Sequence, residues 1–172
     1  VVTEPIAIRS SSLLEDSHYQ PFAGIYSTYM IPSLPDTARR LELLADAVKG
    51  VYASVFYRDS KAYMTATRNV IDQEKMAVLL QEVVGSDYGG HYYPHISGVA
   101  RSINYYPIGD ETAEDGVANL ALGLGKYIVD GGLSLRVCPA YPDKVLQTSE
   151  MEMALRETQT RFYALDTTFT DG

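Results

Sequence analysis

The sequence predicts an α+β fold built on a mixed sheet with flanking helices. Three observations point there. Alternating and continuous apolar runs mark strands, one long stretch repeats at helical spacing, and the two kinds of segment do not alternate as regular βαβ units. With 172 residues, 46% of them hydrophobic, the chain has enough apolar material for one domain with a real core.

Ile6 and Ile8 alternate with smaller or polar neighbours, so residues 5–11 read as a strand that runs into Ser10, Ser11 and Ser12. Residues 12–24 have no period and hold Pro21 and Gly24, a loop. Tyr26–Ile31 reads as a second strand returning from it. Pro32 and Pro35 bracket a helix start, with Ser33 and Asp36 as cap candidates. From there Leu41, Leu44, Val48, Val51, Tyr52 and Val55 recur on one face, while Arg39, Arg40, Glu42, Asp46 and Lys49 fall largely elsewhere.

Residues 58–68 predict a second helix and 72–75 a polar turn. The run "MAVLLQEVV" at 76–84, ending at Gly85, predicts a central strand buried on both faces. "HYYPHISGVARSINYYP" at 91–107 alternates and breaks at Gly98, giving two strands or one bulged strand. The acids at 110–115 suit the positive end of a helix dipole and predict a helix to about Leu122. "GLGKYIVDGG" ends it, and "LSLRV" at 133–137 is a further strand; the tail from 145 is more polar.

A formal charge of −8 argues against a coat for nucleic acid or for an anionic membrane, though not against a local anion site. No apolar run approaches the roughly 20 residues that span a bilayer. Val1 opens the chain with no visible signal peptide, and the single cysteine, Cys138, has no partner for an internal disulfide. A cytoplasmic location is expected. The 14 tyrosines read as sheet and interface packing.

Arg9 carries the sharpest chemical signal. A guanidinium at a strand end is shaped for two-point contacts with phosphate oxygens, and three adjacent hydroxyls add donors. Residue types alone leave a second reading open, in which Arg9 pairs with Glu15 or Asp16 and the serines solvate a turn. The loop that follows is either a ligand cover or a surface crossing. His91 and His95 have the spacing of a helical metal pair. Tyr92, Tyr93 and Pro94 favour extended chain, which sets them roughly 13 Å apart, too far to share a metal. His18 is a lone loop histidine, no Ser-His-Asp set can be drawn, and no GxxxxGK[ST] phosphate loop is present. Glu15, Asp16, Asp110, Glu111 and Asp115 read as loop and helix-start acids, so no residue is assigned to a metal.

Taken in order, "AIRSSSLLED", "FAGIYST", "LLQEVVG", "SGVARSINYYP", "LALGLGKYIVDGG" and "CPAYP" resemble the nucleotide-binding domain of the phosphoenolpyruvate synthase and pyruvate phosphate dikinase family, over roughly residues 5–142. The resemblance implies an ATP-grasp-like fold, with residues 1–172 part of one such domain. It also implies that ATP and Mg²⁺ are bound, and that a carrier histidine on another domain is phosphorylated for transfer to pyruvate. Pyruvate or phosphoenolpyruvate would then be met through other domains, and this chain alone would be inactive. By the same resemblance Arg9 is the phosphate clamp, Ser10, Ser11 and Ser12 its neighbours, and Phe22, Ala23 and Gly24 part of a loop closing over the phosphates. Gln81, Glu82 and Val84 line the adenine edge.

The chain departs from the family pattern at Lys126, often Glu, and at Arg101 and Ser102, where a Phe-Thr pair is common. The family's lysine-bearing segment would precede Val1, and its D-x-E and Q-[ST]-R motifs would follow Gly172. Alternatives are a dikinase that uses phosphate, water or a sugar polymer as acceptor, and a non-catalytic nucleotide-sensing or interaction module.

Overall fold

The computed structural model describes residues 3–13, 15, 24–66 and 75–168. They form two compact units that divide at Val83 and Val84. The architecture is α+β. Its strands form three antiparallel sheets of three strands each among the described residues, in place of the single mixed sheet expected.

In the first unit β1 (Ile6–Ser12) is the central strand, between β2 (Tyr29–Ile31) and β3 (Met76–Glu82). Ile6 lies opposite Ile31 on one side and opposite Glu82 on the other, and the β3 ladder runs to Ser12 opposite Met76. The pairing continues past both strand ends, as Val83 N donates to Pro5 O (2.9 Å) and Leu13 N to Lys75 O (3.2 Å). Helix α1 (Thr37–Ser54) starts where the cap signal placed it: the Asp36 carboxylate accepts from Ala38 N (2.9 Å) and Arg39 N (3.3 Å). Its Ala47 and Val51 join Ile8 and Ile31 in the core, with Leu44 and Val48 packed against them. Leu41 and Tyr52 share the helical period but face solvent.

Helix α2 (Arg58–Ala66) follows after a short turn. The turn is held by serines. Ser54 Oγ accepts from Ser27 N (3.1 Å), and Ser60 Oγ donates to Ser54 O (2.7 Å). Met64 packs there with Tyr26 and Val55. The strand expected over 26–31 is thus shorter, because Tyr26 is spent on this second cluster. The polar turn expected at 72–75 lies outside the described residues except for Lys75.

β3 corrects an expectation. It is an edge strand, not a central one: only β1 pairs with it among the described residues, and Leu79 and Leu80 are about half exposed. A continuous apolar run fits a strand covered on both faces, but it does not supply the second neighbour that burial requires.

In the second unit β4 (Ser86–Asp87), β5 (His91–Tyr93) and β9 (Leu165–Asp166) form one sheet in that order. β6 (Ser97–Arg101), β7 (Val117–Ala121) and β8 (Leu135–Val137) form the other. The 91–107 stretch breaks at Pro94, which has no N–H for a ladder, rather than at Gly98. Gly98 sits inside β6, where a Cβ would lie 2.7 Å from Leu120 Cδ2 and 2.8 Å from Asn119 O.

The helix expected over 110–122 does not form. A single 3₁₀ turn at Ala113–Asp115 is ended by Gly116 at φ 70°, and strand β7 follows at once. The favourable dipole of a few acids is outweighed by pairing with two neighbouring strands. Short helices α3 (Lys126–Val129) and α4 (Met151–Glu157) complete the unit. Among the described residues no helix is long and apolar enough to cross a membrane.

Candidate functional site

Strand alternation divides the "RSSS" segment between two faces of β1. Ile8, Ser10 and Ser12 are buried on the face covered by α1. Arg9 and Ser11 turn the other way, beside the exposed Leu79, Gln81 and Ala77 of β3. The three serines are therefore not one cluster, and only Ser11 shares a face with Arg9. Ser12 Oγ instead accepts from Glu15 N (3.1 Å), which shapes the start of the loop.

The Arg9 side chain is exposed, and its Nη1 donates to Gln81 Oε1 at 3.5 Å. That is the outer limit of a hydrogen bond, so among the described residues the guanidinium is lightly held. Arg9 makes no ion pair with Glu15 or any other described acid. Asp16, the other acid weighed as its partner, lies outside the described residues, as do Phe22 and Ala23. Gly24 is exposed at φ 86°, a left-handed conformation that suits glycine. Glu82 is exposed and paired with Ile6, so it projects to the face opposite Gln81. Val84 opens the second unit and is 81% exposed.

Beyond Ser11, the same end of the sheet holds a shallow depression of about 380 Å³, lined by Ser11, Ser12, Leu13, Lys75, Met76 and Ala77. Leu13 and Lys75 extend the Arg9 face by one more alternation. The arrangement sets a guanidinium and an ammonium on one strand face, with Ser11 between them and nothing else covering it among the described residues, which suits an anion with several oxygens.

The second unit contains a polar centre that the sequence reading missed. Glu111, taken as a helix-start acid, accepts from Arg136 Nη2 (2.6 Å) and Nη1 (3.1 Å), Asn104 Nδ2 (2.8 Å) and Ile108 N (3.0 Å). Arg136 Nη2 also donates to Asn104 Oδ1 (3.1 Å) and Tyr106 O (3.0 Å). The Arg136 hydrogen bonds hold the Glu111 carboxyl down at about 2, with smaller help from Ile108 N and Asn104 against the cost of burial. These bonds interlock, Arg136 Nη2 being shared among three acceptors, so the cluster pins the 102–115 segment to β8. Its partners lie up to 32 residues apart, and nothing local in the sequence marks them.

His91 sits on β5 opposite Asp166, whereas His95 is hydrogen-bonded through Nε2 to the Tyr88 hydroxyl. Among the described residues no group of three or more His, Cys, Asp or Glu is placed to hold a metal ion. Cys138 is fully buried as a free thiol.

Comparison with known proteins yields two matches. The family model described as "Pyruvate phosphate dikinase, AMP/ATP-binding domain" matches residues 1–167. The chain is also 30% identical over 129 residues to the "Uncharacterized phosphotransferase YvkC" of Bacillus subtilis (strain 168). The match takes in 75% of this chain and 14% of that protein, so the chain spans a small part of its relative's length.

Proposed function

Since the chain belongs to the pyruvate phosphate dikinase AMP/ATP-binding domain family, and is on that ground a nucleotide-binding domain, we propose that it binds ATP on the open face of β1 and β3 as part of a phosphotransferase. Both compact units then belong to one ATP-grasp nucleotide-binding domain. The parent enzyme passes a phosphoryl group from ATP to a carrier histidine on another domain, and from there to pyruvate. The name of the Bacillus relative, a phosphotransferase, supports that class of reaction.

The observation that carries this reading is the state of Arg9: exposed, lightly tethered to Gln81 and in no ion pair among the described residues. An arginine kept for fold stability is expected to be paired, whereas one kept for a ligand leaves its fork open. In phosphoryl transfer the protein's work is positioning and charge neutralisation. Arg9 supplies both, by two-point contact with phosphate oxygens, while Ser11 adds a hydroxyl on the same face and Gln81 marks the base end. Gly24, with Phe22 and Ala23, belongs to the segment assigned to cover the phosphates. Ser10 and Ser12, buried under α1, support the strand instead of touching ligand. ATP arrives as its Mg²⁺ chelate. The described residues do not form a metal-ligand set, and no step is assigned to a metal held by them.

Calorimetric titration of the chain with Mg-ATP, beside Arg9→Ala, tests the reading. Loss of a charge-assisted phosphate contact should weaken binding by about 1.5–3 kcal/mol. Unchanged affinity in the variant refutes the clamp, and absence of binding by the unmodified chain refutes the proposal that this chain suffices to bind ATP.

A further inference from the structure

We infer that Lys75 is a second phosphate-binding cation of the same site, acting on the terminal phosphates from the far end of the β1–β3 face. This rests on the reading of that face as the nucleotide site. The hydrogen bond from Leu13 N to Lys75 O carries the antiparallel register one pair beyond Ser12 and Met76. Alternation then puts Lys75 on the side of Ala77, Leu79, Arg9 and Ser11, not on the side packed against α1. Lys75 is exposed and makes no ion pair among the described residues.

In a chain of net charge −8, a lysine and an arginine that make no ion pair among the described residues share one strand face, a pairing of cations against the overall sign. Among the described residues the space beside the lysine is open. Ser11 and Ala77 are small, and together with Leu13 and Lys75 they line the depression of about 380 Å³. Arg9 lies opposite Leu79, and Lys75 is four residues further along β3, about 13 Å by strand rise. Two cations so separated, with a hydroxyl between them, fit an extended polyphosphate better than a single phosphate. The order along the face is Gln81, Arg9, Ser11, Lys75. A nucleotide whose base lies at Gln81 therefore points its outermost phosphate at Lys75. Arg9 acts as the planar fork and Lys75 as a mobile point charge.

The test is titration of the unmodified chain, Lys75→Gln and Lys75→Arg with AMP, ADP and ATP, at low and moderate salt, after circular dichroism has confirmed equal folding. Lys75→Gln should weaken ATP by about tenfold or more and AMP by less than about twofold, and Lys75→Arg should restore most of the ATP affinity. ATP affinity unchanged in Lys75→Gln, while Arg9→Ala weakens it, overturns this inference and leaves the nucleotide site standing. Equal weakening of AMP and ATP also overturns it, because the lysine then does not select the outer phosphates. No binding of any nucleotide by the unmodified chain refutes both readings together.

Discussion

Replacing Glu111 with glutamine keeps its shape but removes the charge that four donors converge on, and it turns an amide NH₂ toward one of them. The Glu111 side chain is 5% exposed and Arg136 is 24% exposed, so the pair lies between an open surface bridge and a buried one, and its rupture should cost about 2–4 kcal/mol. Urea titration followed by circular dichroism measures the loss, and hydrogen exchange over residues 102–116 locates it. The sign with pH is fixed by the depressed carboxyl, about 2 against an ordinary 4.5. The native chain keeps this stabilisation in full above about pH 4.5 and loses it progressively as pH falls toward 2. Glu111→Gln has no such group to titrate, so the gap between the two proteins should be widest near neutrality and close in acid. A loss below about 0.5 kcal/mol, the size of an ordinary surface substitution, or a gap that stays constant from pH 7 to 2, refutes the account of the cluster as a pin.

Two further substitutions probe the two units one at a time. Asp36→Ala removes the acceptor for Ala38 N and Arg39 N and should cost about 1 kcal/mol in urea, with Asp36→Asn recovering most of it. Gly98→Ala places a Cβ against the backbone oxygen of Asn119, which cannot swing aside as Leu120 can, and should destabilise the β6–β7 pair by about 1–3 kcal/mol in the same assay.

The first unit is legible in the sequence wherever a local rule and the packing agree. Ile6 and Ile8 alternate and form β1, and Asp36 caps the helix it precedes. Legibility fails where a long-range partner decides. The apolar run at 76–80 gives no sign that one of its edges lacks a neighbour among the described residues, and the acids at 110–115 do not show that Val117–Ala121 pairs on both sides. Glu111 is the clearest case, since a carboxylate two residues before a 3₁₀ turn looks the same in sequence whether it faces water or an arginine 25 residues away.

The "RSSS" segment shows the same limit within a single motif. As a string, its four residues form one polar patch suited to phosphate. As a strand, it is two interleaved sets, and the core claims one of them: Ser10 and Ser12 take positions in line with Ile8, which must face α1 for the sheet to be covered at all. Small hydroxyls are tolerated there because they fill little volume and Ser12 finds a backbone partner. Arg9 cannot occupy that register without burying a charge, so packing of Ile8 forces the guanidinium outward. Orientation of the proposed clamp thus follows from the same period of two that builds the core, and any substitution that slips the register of β1 by one residue exchanges clamp and core at once.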